Sequence, residues 1–185
     1  MSIGASVPRD RAKRLLLGRG NYVDDISLPR MLHLALVRSP YAHAHVGAIE
    51  TREALALPGV IAVFTAEDLE GAVSSWRAEH KLFPAMAAPE QFALARDVVR
   101  WQGEAVAAVL ANSRAEAEDG AERVSVDWDE LPAITDANQA LAPNAPVLHD
   151  DMSSNLAFET QVTAGDVNAA FADADHVVEE HFRFH

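Results

Sequence analysis

The sequence predicts an α+β fold, made of short strands, few helices and frequent turns. Three observations carry that expectation. Apolar runs recur at strand length, at 31–37, Ala105–Ala111 and 60–64, the last rich in β-branched residues. Residues 113–122 carry a helix start signal and a face of small residues. Proline and glycine punctuate the runs, at Ser39-Pro40, Pro58-Gly59 and Leu131-Pro132.

Residues 1–19 are polar and basic, with Pro8 and a cluster of Arg9, Arg11, Lys13, Arg14 and Arg19, and read as a solvated N-terminal arm. After a turn at Leu28-Pro29-Arg30, 31–37 reads as a mostly buried strand. Ser39-Pro40 ends it, because proline lacks the ladder donor. Residues 44–49 form a second strand. Thr51 is placed to cap a helix over 52–57, stopped by Pro58-Gly59. A strand at 60–64 leads to a helical turn at Glu67-Asp68-Leu69, with Thr65 as its cap. Residues 71–95 lack periodicity and read as a long connection with local turns. Short strands at 98–101 and Ala105–Ala111 follow.

The clearest helix begins at Ser113, with Glu116 three residues on as a capping box. Ala117, Gly120 and Ala121 give it a face that can lie close on a sheet. Residues 124–128 alternate as a half-buried strand, 136–141 form a short helix and 143–146 a linker. The pattern then restarts, with strands at 156–163 and 176–184 around a helix at 167–172. The last strand carries no stop signal and has nothing after it to pair with, as if cut short or awaiting another chain.

Composition narrows function. The chain has 185 residues, 49% hydrophobic, and a formal net charge of −13. Such hydrophobicity excludes a disordered acidic tail. The acidic balance argues against a nucleic-acid partner, which needs a surplus of Lys and Arg, and against docking on anionic lipid. Zero cysteines exclude disulfides, thiolate metal sites, iron–sulfur ligation and a cysteine nucleophile within these residues. The apolar run at 15–17 is too short for a signal or a membrane span, so no membrane insertion is expected. A cytoplasmic setting fits.

Few residues suggest chemistry. His43 and His45, spaced i, i+2 on a strand, would face one side as metal ligands do, but a third ligand is missing. Histidines with ordinary hydrogen-bonding roles are the favoured reading. The adjacent acids Asp24-Asp25, Glu67-Asp68 and Asp150-Asp151 point apart on a strand, and paired acid–base work needs convergence. Arg38 could meet an anion, although pairing with a local carboxylate is preferred. Trp76, Trp101 and Trp128 read as core or interface anchors. Dinucleotide, Walker and nucleophile-elbow motifs are absent.

Several longer runs are more specific. Gly20-Asn21-Tyr22-Val23-Asp24-Asp25-Ile26, Leu28-Pro29-Arg30-Met31-Leu32-His33 and Val37-Arg38-Ser39-Pro40-Tyr41-Ala42-His43-Ala44 resemble the opening of the molybdenum hydroxylase large subunit. So do Ala56-Leu57-Pro58-Gly59-Val60, Trp101-Gln102-Gly103-Glu104-Ala105-Val106-Ala107 and Val126-Asp127-Trp128-Asp129-Glu130-Leu131-Pro132. Asn155-Leu156-Ala157-Phe158, Gly165-Asp166 and Ala170-Phe171-Ala172-Asp173-Ala174-Asp175 are similar to the family's next segment. The family embraces xanthine dehydrogenase, aldehyde oxidase and aerobic carbon monoxide dehydrogenase. Three positions depart from its pattern: Arg30 stands where glycine is frequent, Ala105 where proline is, and Gly120 where alanine is.

The resemblance implies an α/β-hammerhead domain, with a mixed sheet and a projecting hairpin, over residues 20–142. Residues 143–185 would be a linker and the start of the molybdopterin-binding domain, truncated. In the family, molybdopterin cytosine dinucleotide with its molybdenum and the catalytic glutamate lie further along the chain. No catalytic, cofactor-binding or metal residue is therefore expected here. The chain would be a structural and interface module, a truncated piece or a split-gene product. Its implied partners are the remainder of the molybdopterin-binding subunit, an iron–sulfur subunit and an FAD subunit, with a homo-oligomer open to the isolated piece. The alternative is an independent small-ligand or metal-binding module using His43, His45 and the 71–95 loop. A free-standing enzyme would need a convergent acid–base pair, which the sequence does not offer.

Overall fold

A computed structural model of the chain describes residues 3–7, 9, 12–83 and 85–182. Pro8 and Arg11 of the expected arm, and the end of the expected last strand at 183–184, lie outside the described residues. The chain divides into two units, Met1–Val73 with Ala93–Leu131, and Ser74–Phe92 with Pro132–His185.

Every named strand among the described residues lies in the first unit. Helix α1 (Ala12–Leu16) lies in the arm and buries nothing. Strands β1 (His33–Arg38), β5 (Ala105–Ala111) and β3 (Val60–Thr65) form one sheet with β5 central. Strands β4 (Val98–Val99), β2 (Ala44–Glu50) and β6 (Ser125–Glu130) form another with β2 central. All named ladders are antiparallel, and there are two sheets where the resemblance implied one mixed sheet. The α+β class is as expected.

Helix α3 (Arg114–Glu122) covers one face of the first sheet. Its contact is close because Gly120 has no Cβ. One built there would lie 2.8 Å from Val109 Cγ1 and 3.0 Å from Val60 Cγ2. Beneath it Ala54, Ala107, Val109 and Val124 form one buried cluster, with Ala54 supplied by α2 (Arg52–Leu55). A second cluster, Ala44, Ala95, Val99 and Val106, is flanked by Tyr41 and Trp128.

The expected capping box forms by half. Ser113 Oγ accepts the Glu116 amide at 3.3 Å, and Glu116 Oε2 takes the Ser113 hydroxyl rather than a second amide. Thr51 does not cap α2, since its backbone is already helical and its side chain makes no cap bond. Before the 3₁₀ turn Glu67–Leu69, Thr65 donates to Asp68 instead of accepting. Arg30 has φ of 63°. This left-handed conformation suits glycine, the residue that the resemblance led one to expect there.

In the second unit, Trp76 and Gln91 exchange backbone hydrogen bonds of 3.0 and 2.8 Å, closing residues 74–92 on themselves. Helices α4 (Ala137–Ala140) and α5 (Val167–Ala172) are capped by Asp136 and Asp166. The expected strands at 156–163 and 176–184 do not form among the described residues. Alternation makes a segment able to be a strand, but a strand exists only when a neighbour supplies its ladder. Both stretches are exposed, with Val162 at 92% and Phe182 at 82%.

Candidate functional site

Three of the sequence runs singled out above meet in the first unit and bind one another. β1 bulges between Val37 and Arg38 as it leaves β5. Arg38 Nη1 donates to the Gly103 carbonyl at 2.8 Å. The Ser39 amide donates to Glu104 O at 2.9 Å, and Ser39 O accepts the Gly103 amide at 2.8 Å. The Ser39 hydroxyl donates to Tyr41 O at 2.8 Å and accepts the Tyr41 amide at 3.0 Å. Gly103 turns with φ of 94°, and Glu104 Oε2 accepts the Arg100 amide at 2.6 Å. The Tyr41 ring rests 5.9 Å from that of Trp128.

Ser39 is 3% exposed. Burying a hydroxyl is costly unless it is bonded, and here it both donates and accepts. Its hydroxyl is thus engaged in holding a turn and is not aimed at a base. Arg38 meets a carbonyl, not the carboxylate or anion weighed from the sequence. The arrangement locks the ends of β1 and β5 to the entry of β2, and supplies no nucleophile, acid or anion cradle.

His43 and His45 do not share a strand. β2 begins at Ala44, so His43 lies in the bend before it, half-buried, with its carbonyl accepting the Leu131 amide at 2.9 Å. His45 is exposed on β2, opposite Val98 and Asp129. Residues 74–92 of the long loop belong to the other unit. Among the described residues, no group of three His, Asp or Glu could hold a metal ion.

The paired acids are anchors. Asp25 accepts the Tyr22 amide at 2.9 Å, while Asp24 turns toward Arg114, 3.8 Å away. Asp68 accepts the Thr65 amide at 2.7 Å and the Thr65 hydroxyl at 3.0 Å. These bonds, the amide first, hold its carboxyl below the usual range. Asp151 accepts the Glu90 amide at 3.1 Å and meets Arg77 at 2.8 Å, and its carboxyl is lowered by that amide first and the guanidinium second. A general acid needs the opposite shift. An open groove of about 680 Å³ runs beside Gly47, Thr65 and Asp97. Its Asp68 already serves Thr65.

Two anchors escaped the sequence. Asn155 accepts the Leu148 amide at 3.0 Å and donates to the carbonyls of Ala140 and Pro146 at 3.0 and 2.9 Å. Arg77 also reaches the Ala88 carbonyl at 2.7 Å. The only sequence signal for Asn155 was its place in a run shared with the family. The aromatic residues of the second unit stack, Phe83 on Phe158 at 4.2 Å. Trp76 and Trp101 stay 50% and 55% exposed, so neither is a core residue in this structure.

Residues 17–132 match the family described as aldehyde oxidase and xanthine dehydrogenase, a/b hammerhead domain. The nicotine 6-hydroxylase large subunit of Paenarthrobacter nicotinovorans is 39% identical over 178 residues, covering 95% of this chain and 21% of that protein. The carbon monoxide dehydrogenase large chain of Hydrogenophaga pseudoflava is 42% identical over 156 residues, covering 83% of this chain and 19% of that one. Among solved structures, quinoline 2-oxidoreductase from Pseudomonas putida 86 superimposes with a TM-score of 0.81 at 38% identity, over 96% of this chain and 22% of that chain. The chain thus spans about a fifth of the length of the curated relatives it matches.

Proposed function

The chain belongs to the aldehyde oxidase and xanthine dehydrogenase family, as its a/b hammerhead domain, and from that membership we propose that it is a structural and interface module of a molybdenum hydroxylase large subunit. The complete protein is an oxidoreductase of the xanthine dehydrogenase or carbon monoxide dehydrogenase type. Residues 20–142 are the hammerhead domain, and 143–185 lead into the molybdopterin-binding domain. The partners are the remainder of that subunit, an iron–sulfur subunit and an FAD subunit, in the cytoplasm. Among the described residues, no helix is long and apolar enough to cross a membrane.

One observation carries this reading. Within the first unit, Leu34, Leu36 and Phe64 of the β1–β5–β3 sheet stay 57%, 36% and 36% exposed, apolar area of the kind that interfaces cover. The residues present do not fit an iron–sulfur cluster or a metal held by side chains. The chain has no cysteine for an iron–sulfur cluster, and no described acid or histidine trio could hold a metal. What the residues do is lock turns and present surfaces.

Elemental analysis of the purified chain tests this. The expected result is molybdenum far below one atom per chain, and a stoichiometric content refutes the reading. Zinc or nickel titration tests the metal-binding alternative, which requires tight one-to-one binding that is lost when His43 and His45 are both replaced.

A further inference from the structure

Residues 74–92 contain no named helix or strand among those described, yet their path is closed. The chain enters this excursion after Val73 and leaves it before Ala93, so it has two legs. Trp76 and Gln91 join the legs through paired backbone hydrogen bonds. The Ser75 hydroxyl donates to the Glu90 carboxylate, and Arg77 Nη1 donates to the Ala88 carbonyl at 2.7 Å. Among the described residues of the second unit, no apolar residue is buried. Its order therefore rests on specific polar and stacking contacts. Regions built this way open at a lower free energy than the whole molecule unfolds.

One atom outside the excursion touches both legs. Asp151 Oδ2 lies 2.8 Å from Arg77 Nη1 on the first leg and accepts the Glu90 amide of the second at 3.1 Å. Bonds to an ionised acceptor are the stronger kind. The Glu90 carboxylate is taken up by Ser75, so the second leg offers Asp151 an amide and not a competing charge. Asp151 is itself presented by a closed turn. The Met152 amide donates to His149 O at 2.9 Å, and Asn155 ties Leu148 and Pro146 together. Two further contacts reach the same segment. The Ala87 amide donates to Ala157 O at 2.8 Å, and the rings of His80, Phe83 and Phe158 stack in that order. A contact to one leg would leave the other free to move. A carboxylate on both legs makes their release a single event.

We propose that residues 74–92 are a strap, latched to the 148–158 segment by Asp151, which opens and closes as one piece while the segment bearing the latch keeps its own turns. A displacement of the 149–152 turn then moves the whole strap, not one bond of it.

Residue-resolved amide hydrogen exchange on the full 185-residue chain tests this. The amides of Trp76, Ala87, Glu90 and Gln91, each a donor in these contacts, are expected to be protected to the same degree. Asp151→Ala should speed all four together by about tenfold, since bonds to an ionised acceptor are lost from both legs. Phe158→Ala should speed the same four, including Trp76 and Gln91 at the base. The Leu148 amide, held by Asn155, should keep its rate in both variants, as should the Val109 amide in β5. Asp166→Ala uncaps α5 in the same unit and, as control, should leave the four unchanged. Acceleration confined to Glu90 makes Asp151 a local bond and overturns the proposal. Acceleration that extends to Leu148 means that the unit opens whole, without a separate strap, and overturns it too. If neither variant folds, the unsubstituted chain still decides. Four unequal protections, or four equal to that of Leu148, reject the strap, and four equal to one another but different from Leu148 support it.

Discussion

Replacing Gly120 with alanine sets two effects of similar size against each other. Glycine inside a helix costs about 1 kcal/mol relative to alanine, so at an exposed site the change would stabilise. Here the new methyl group would lie 2.8 Å from Val109 Cγ1 and 3.0 Å from Val60 Cγ2. Val109 is fully buried, and β-branching holds both valines near one rotamer, so neither can swing aside. The helix must lift, loosening the packing of Ala117 on the sheet. Overpacking of this kind costs about 1–3 kcal/mol, leaving a net loss of about 1 kcal/mol. Urea unfolding, followed by tryptophan fluorescence and circular dichroism, reads this as a lower midpoint at unchanged slope. Asp119→Ala, on the exposed side of the same helix, is the control and should be neutral or mildly stabilising. Val109→Ala should cost less in the Gly120→Ala background than alone, because it makes room for the methyl. If Gly120→Ala instead stabilises by the full propensity difference, α3 does not lie on the sheet as described.

Arg30→Gly should raise stability by about 0.5–1 kcal/mol. It relieves a left-handed backbone costing about 1–2 kcal/mol, offset in part by the freer unfolded chain. Arg30→Ala keeps the strain and should gain nothing, and thermal melts of the two separate the cases. Asn155→Ala removes three bonds and should cost about 2 kcal/mol in the second unit, seen as faster exchange of the Leu148 amide. Asp68 and Asp151 have lowered folded values, so the stability they contribute is full above the ordinary Asp value of 3.8 and is lost as pH falls through their lowered values. Acid titrations of Asp68→Asn and Asp151→Asn should therefore show the gap to the unsubstituted chain closing below pH 3.8.

What could be read from the sequence was local. Ala105–Ala111 was bounded to the residue, because an unbroken apolar run between turns identifies a central strand without knowledge of its neighbours. α3 was bounded by Ser113 and its acid, again a local signal. Pairing was not legible. β1 and β2 follow one another in the chain yet enter different sheets, because the Ser39–Tyr41 turn is tied to Gly103 and Glu104, more than sixty residues away. The start of β2 at Ala44 was read correctly, and it leaves His43 outside the strand. The stretches at 156–163 and 176–184 failed for a related reason, since their alternation is written in the chain but a partner strand is not among the described residues. Arg38 shows the limit for the site. Its charge suggested a local carboxylate or else an anion, while its partner is the Gly103 carbonyl, reached only through the fold.

The most direct measurement is complementation. The Hydrogenophaga pseudoflava large chain, expressed with its partner subunits but without the segment matched here, is supplied with this 185-residue chain. If the chain is the hammerhead module, a complex forms, and the molybdenum it carries rises from near zero toward one atom per large subunit. If the shortened subunit loads molybdenum equally well without the chain, its role as that module is contradicted.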